Sequence, residues 1–503
     1  MLTFRTDLAF QYKFNTGAVM KIIEGLVLAI ALSIANPTWS LEVFSQGVTI
    51  PESISKVPPS FGIYEGDYFI PDVSAGRIWR LPKEGGAPKT LVQPNTCRGE
   101  SPAQRYGFLN GTFLPAEYGA YGGQFVVAGS CSNSTGNFLS TLDVVSLVGE
   151  QVTIQTLAEI NEAEILTTPE IAPSTFGSYG GQLFVTGMNS DDEGSHVYRI
   201  APDGTVSTFA THTPSSPSYY GDRFWGMAFA PANFGSFGGR MVVGTVTGDP
   251  ASNAANIHSI DSIGTVTLFT QVQLPQRLTT IVTGIRQMGF ANNSFTGYGG
   301  QLFVSLNGGP LGGGINGAIV VIDSAGNQIA EIIKGNQTDH FDPRGFYFTD
   351  DGKMLIADAS TEILLATPQD FVRTAFPFSA FKVTQLLINK RHNIVFLLSN
   401  LTLAQDNNGF NPVKEVVTAK IGNITLTIPA DSFRKYGNLP YSFVGKIDND
   451  VWLEALIRPL GGNRFVFQAA GYGADLSGIT NPVTVAVTVG DDIGKTSVNA
   501  KIQ

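Results

Sequence analysis

The chain has 503 residues, of which 43% are hydrophobic and 14% charged, with a formal net charge of −10. That balance excludes a disordered or highly charged chain, and without a run of lysines or arginines there is no basic face to displace counterions from nucleic acid. The 57 glycines are too many for helical architecture, and their spacing is that of turns.

Met20-Lys21 gives a positively charged start, an apolar stretch follows from Leu26 to Ala35, and small residues stand at Pro37-Thr38-Trp39-Ser40. A signal peptide is therefore expected over residues 1–40, with Met20 as the true start and the mature chain beginning near Leu41. The product is read as exported: secreted, periplasmic or on the cell surface. No other stretch approaches the ~20 apolar residues of a bilayer span, so no membrane span is expected in the mature chain.

Beyond Leu41 one segment recurs. FGSYGGQLFV from Phe176 returns as YGAYGGQFVV from Tyr118, FGSFGGRMVV from Phe234, FTGYGGQLFV from Phe295 and, more loosely, FGIYEGDYFI from Phe61. A sixth copy with an altered turn runs from Arg344 to Asp358, and the hairpin Thr384–Ser399 is a candidate seventh. Each copy leads into a second hairpin such as HVYRIAPDGTVSTF from His196 or NIHSIDSIGTVTLF from Asn256, in which His196 and His258 are read as occupying the same position. Four strands per repeat of 50–60 residues match one propeller blade. Each blade is apolar on both faces and must bury them against its neighbours. The Gly-Gly pair is expected to provide a positive φ or a close backbone approach, and the aromatic before it, Tyr179 or Phe237, to wedge between blades. Leu41–Ile50 is strand-like and is expected to complete the last blade.

Asp342-Pro343-Arg344-Gly345-Phe346 and the turn and strand that follow to Asp358 resemble the inner-strand unit of NHL and SMP-30-like propellers. The resemblance covers residues 50–400 and concerns structural positions. The fold class is thus all-β: a six- or seven-bladed β-propeller over 41–403, then a linker over 404–412. A small β-sandwich follows over 413–503, similar to Ig-like modules of secreted bacterial proteins and marked by alternating strands about ten residues apart.

In a propeller, the loop leading into each inner strand and the loop between second and third strands share one face, the mouth of the channel. Glu100, Arg105, Asp222, Arg223, Asp339, His340 and Arg344 fall in or beside such loops and are the ligand-face candidates. SMP-30-like lactonases hold a divalent cation in the channel through carboxylate and amide oxygens. That resemblance makes Glu100, Asp222 and Asp339, with the amides of Asn189 and Asn307, the corresponding set, although the family's ligand positions do not transfer residue by residue. His340 and Arg344 are alternatives as an acid/base and an anion clamp; the structural reading of Asp342-Pro343-Arg344 is a turn and an inter-blade ion pair. Cys97 and Cys131 fall on the mouth-side face, where a disulfide is expected. Gly490-Asp491-Asp492 is most simply a turn, and calcium is the one ion considered there. The preferred function is an exported non-catalytic binding or scaffold propeller without a cofactor, its partner an unknown small molecule, glycan or protein. The alternative is a lactonase-type hydrolase using a channel cation.

Overall fold

The computed structural model describes residues 41–503 apart from 74–75, 93–104, 133–137, 161–164, 189–193, 214–221, 248–253, 275–282, 308–316, 333–340, 360–361, 405–406, 408, 438 and 448–450. The expected signal peptide, Glu100, Asp339, His340, Asn189 and Cys97 lie outside the described residues, as do the side chains of Arg105 and Cys131.

β-Branched and aromatic residues alternating between glycine-marked turns give strands almost throughout. Short 3-10 turns are the helical elements among the described residues. Among the described residues, six four-stranded units follow one another. In the third, Ile165–Ile171, Leu183–Met188, Ser195–Ile200 and Val206–His212 pair in chain order. The others open on Ser55–Lys56, Arg105–Phe113, Arg223–Phe229, Thr283–Phe290 and Pro343–Phe348, the inner strands. The fourth and fifth sheets also touch through a short pairing of Val246 with Gly284.

The ring closes through both ends of the propeller segment. Glu42–Gln46 pairs antiparallel with Glu362–Ala366 as the outer strand of the sixth sheet, as expected from the sequence. Ile54, Ile70 and Leu81 of the first sheet then share a core with Leu355, Ala357 and Ile363 of the sixth. Burial of such faces is the main favourable term holding the blades together.

The repeated motif builds both turn and wedge. In Gly122-Gly123 and Gly238-Gly239 the second glycine has φ of +76° and +74°. The first has no room: a Cβ would sit 2.0 Å from Ala116 O at Gly122 and 2.2 Å from Ala232 O at Gly238. The pair thus meets both expected demands. The wedge is a different aromatic from the one expected. Tyr179 and Phe237 pack on Phe209 and Phe269, outer-strand residues of their own sheets, at 5.3 and 4.5 Å. The earlier aromatic of each motif crosses to the next blade: Phe61 to Phe113 at 5.6 Å, Phe176 to Phe229 at 5.0 Å, Phe234 to Phe290 at 4.9 Å and Phe295 to Phe348 at 5.1 Å. The reason is the 3-10 turn between the two aromatics, which sends the second back over its own sheet. Tyr118 makes the equivalent crossing by donating its hydroxyl to Ile200 O at 2.7 Å.

From the second sheet onward each inner strand carries a β-bulge, between Phe108 and Gly111, Leu166 and Pro169, Phe224 and Met227, Ile285 and Gln287, and Pro343 and Gly345. A bulge re-aims side chains, and polar groups at or next to the inner strands tie each repeat to the one further along. Ser53 Oγ accepts from Gly111 N, Asn110 Nδ2 donates to Thr168 Oγ1, and Thr167 Oγ1 donates to Trp225 O, each pair 58 residues apart. Gln287 Oε1 accepts from Phe346 N, 59 residues on.

The hairpin Ala380–Asn389 and Ile394–Thr402, which contains the candidate seventh blade, belongs elsewhere. Ile394–Thr402 pairs with Arg464–Tyr472 in a six-stranded sheet of the C-terminal sandwich. A five-stranded sheet faces it across a shared core that includes Leu397, Val417, Ile457 and Val487. The sandwich therefore begins before residue 413, and the polar stretch 404–412 connects two of its own strands rather than two domains. Period-2 alternation is the same in both settings, so pattern alone does not place the hairpin. The two parts are joined near Val372–Arg373, which pairs with the fifth blade, and Phe376–Pro377, which pairs with Asp492–Val498 of the sandwich. No helix among the described residues is long and apolar enough to cross a membrane.

Candidate functional site

Three groups of chemistry-bearing side chains stand out, and the repeat geometry places each.

The first is the seam between the sixth and first blades. Arg344, on the bulge of its inner strand, donates Nε and Nη2 to Asp342 Oδ2 at 3.0 and 2.8 Å, and Nη1 to Glu52 Oε1 at 3.0 Å. Glu52 is only 2% exposed. Burial pushes its carboxyl above the usual range, with the Arg344 and Arg286 charges working against that shift. Arg286 sits on the next bulge back, its guanidinium 4.2 Å from the Trp225 ring centre, and burial lowers it to about 10. Arg344 is thus the inter-blade ion pair of the structural reading, with its fork committed to two carboxylates.

The second is a cleft of about 490 Å³ where the inner strands of the third to sixth blades run into their turns. Phe229, Met288, Phe290, Tyr347 and Phe348 supply an apolar and aromatic wall, and among the described residues Glu170 is the one carboxyl lining it. Burial there pushes Glu170 up to about 8. Asp222, Arg223 and Arg344 stand at the opposite ends of those strands, so the cleft lies away from the face expected to hold the ligand.

The third lies between the third and fourth blades. His212 ends the outer strand of the third sheet, Asp222 precedes the inner strand of the fourth, and His258 lies on that sheet's third strand. His212 Nε2 is 3.0 Å from Asp222 Oδ2, and the two imidazole centres are 4.5 Å apart. One ligand atom from each of the three residues lies within 4.8 Å of the others. Asn256 Nδ2 donates to Asp222 Oδ1 at 2.8 Å, and Gln271 Nε2 donates to Asn256 Oδ1 at 2.9 Å. Asp222 takes φ +53°, a left-handed conformation unusual outside glycine. Burial alone would raise its carboxyl; hydrogen bonds from His212, Thr245 and Asn256 outweigh that and hold it below the ordinary range. Burial, then His212, drives His258 down to about 4, against the pull of Asp222.

Of the sequence candidates, the structure brings Asp222 into this cluster and Arg344 into the seam, and separates the two. Arg223 is 1% exposed and donates Nη1 to Gly194 O at 3.0 Å, an internal tie. Asn307, expected as a cation amide, accepts from Gly284 N at 2.8 Å. Arg105 and Cys131 face each other in register on neighbouring strands; with Cys97 outside the described residues, the disulfide remains a proposal. Matching His258 to His196 in the sequence hides the part that His212 and His258 play. The register corrects this: His258 pairs with Val243 as Tyr198 pairs with Val185, so His196 is two positions away. Aligning Ile200 with Ile260 at the hairpin turn carries that signal in the sequence itself.

No family model matches this chain, and no curated protein does. Solved structures similar in fold include an oxidoreductase (glucose dehydrogenase) of Thermus thermophilus, at 14% identity and TM-score 0.41, covering 66% of this chain and 99% of that one. Sqt1 of Chaetomium thermophilum, bound to the N-terminus of ribosomal protein L10, shows 11% identity and TM-score 0.36 over 65% and 100%. The PQQ-bound aldose sugar dehydrogenase of Streptomyces coelicolor shows 12% and 0.32 over 86% and 97%. At these values the likeness says nothing of what this chain does; its own sheets make it an all-β protein carrying a propeller-type repeat.

Proposed function

We propose that the protein is an exported, non-catalytic propeller that binds a small molecule or a short apolar segment of a partner at the inner-strand cleft. The C-terminal sandwich serves as its spacer or attachment module. The observation that carries this reading is the lining of the cleft: aromatic and aliphatic side chains from four consecutive blades, with Thr175, Gln287 and Asn292 among them, surround one carboxyl. Binding sites are typically concave and mostly apolar, with few polar groups that fix orientation. Glu170, held protonated by burial up to about pH 8, offers a hydroxyl donor as well as an acceptor. The hydrolase alternative rests on Glu100, Asp222 and Asp339; among the described residues Asp222 stands with His212 and His258, and the seam carboxylates Glu52 and Asp342 are bound by Arg344.

A thermal-shift screen of amphipathic small molecules and apolar peptides tests this. The expected hit raises the melting temperature of the wild-type chain and loses its effect in Phe290→Arg, which fills the cleft. Cation-dependent turnover of lactone substrates, abolished by Glu170→Gln, would overturn the binding reading.

A further inference from the structure

We propose that His212, Asp222 and His258 form a binding site for one divalent transition-metal ion of zinc-like character, bridging the third and fourth blades. The site is separate from the cleft and stands without it.

Two imidazoles and a carboxylate are the donors that zinc, cobalt and nickel prefer, while calcium and magnesium take oxygen alone. Bonds of about 2.0–2.2 Å place tetrahedral ligand atoms about 3.3 Å apart. The pair His212 Nε2 and Asp222 Oδ2, at 3.0 Å, already has that spacing. All three donors fall within 4.8 Å, so closure requires a shift of up to about 1.5 Å, within reach of a side-chain rotation. A second observation points to a ligand. His258 is 7% exposed, and its Nε2 is buried without a hydrogen-bond partner, an expensive state for an imidazole nitrogen.

The surroundings also support a metal. Ligating carboxylates are usually fixed by outer hydrogen bonds, and the relay from Gln271 through Asn256 to Asp222 does this. The Phe224 ring stacks on His212 at 5.1 Å and 19° and closes one side. Three protein ligands leave a fourth position for water or a small ligand. A plain His–Asp clamp would explain the 3.0 Å contact, but not the orphaned nitrogen of His258.

The test uses the full chain, stripped with EDTA, desalted and titrated with Zn²⁺ or Co²⁺. One equivalent per chain is expected, with a Co²⁺ visible spectrum of four-coordinate intensity and a raised melting temperature. His258→Gln and Asp222→Asn should each weaken binding at least roughly 100-fold, and Asn256→Ala roughly tenfold, as for an outer partner. His196→Asn should leave it unchanged. If His258→Gln fails to fold, diethyl pyrocarbonate labelling of the wild-type chain decides, with Zn²⁺ protecting His212 and leaving His392 reactive. A chain that retains no stoichiometric metal, or variants His212→Asn and Asp222→Asn that bind it as tightly as wild type, would show the cluster to be an inter-blade clamp only.

Discussion

Arg344 Nη1 lies 3.0 Å from Glu52 Oε1, joining residues 292 positions apart across the seam of the ring. Removing one partner leaves a buried charge unpaired, which costs about 3–5 kcal/mol. Arg344→Met should therefore lower unfolding free energy by that amount in urea titrations, and the double variant with Glu52→Gln should recover part of it. An unchanged midpoint for Arg344→Met would mean that the pair contributes nothing to closure.

The two glycines of one motif should respond unequally. Gly239→Ala meets no atom within 4 Å but must keep φ +74°, a cost of about 1–2 kcal/mol. Gly238→Ala would place its Cβ 2.2 Å from Ala232 O, so the backbone has to move. Chemical denaturation should find Gly238→Ala the more damaging; the reverse order would refute the assignment of roles.

Phe234→Ala and Phe237→Ala separate wedge from cover. Phe234 is 2% exposed and reaches the next blade, whereas Phe237 is only partly buried against its own. The first should lose about 3–5 kcal/mol, in the range for large buried aromatics, and the second clearly less. Differential scanning calorimetry of both variants checks the ranking.

Glu170 makes stability depend on pH in an unusual direction. Its carboxyl moves from the ordinary 4.5 when unfolded to about 8 when folded, so between those values the folded chain holds the extra proton. Its contribution is complete below about pH 4.5 and is lost as pH rises through about 8. Glu170→Gln should therefore be more stable than wild type near pH 8 and flatten the melting temperature over about pH 5–8. A variant profile parallel to wild type would exclude an elevated carboxyl.

The repeat was legible because few residues satisfy its backbone demands: only glycine fits at Gly122 and Gly238, and the second to fifth copies all keep the pair. The closing strand was readable because Leu41–Ile50 is strand-like and precedes the first repeat, so that it is free to complete the last sheet. What resisted reading was specificity of partner. Leu386, Ile388, Val395 and Leu397 alternate like any blade hairpin, and nothing local says that Arg464–Tyr472 lies beside them. His212, Asp222 and His258 converge only once the third blade's outer strand is laid against the fourth blade. Their chemistry belongs to the packing of two repeats and to the motif of neither.

The closing strand also sets an order of assembly. Glu42–Gln46 is made before any blade, yet its strand partners, Glu362 to Leu365, come at the end of the propeller segment. Blades can condense one after another on their neighbours, but the ring stays an open arc until the sixth is present, and the first strand must wait unpaired. So distant a pairing carries a loop-closure cost that nothing local offsets in advance. An exposed strand edge of this kind is where a second chain, rather than the chain's own beginning, can insert. Shortening the wait, by moving the termini to a turn between two blades through circular permutation, should speed refolding and suppress aggregation without altering the finished ring.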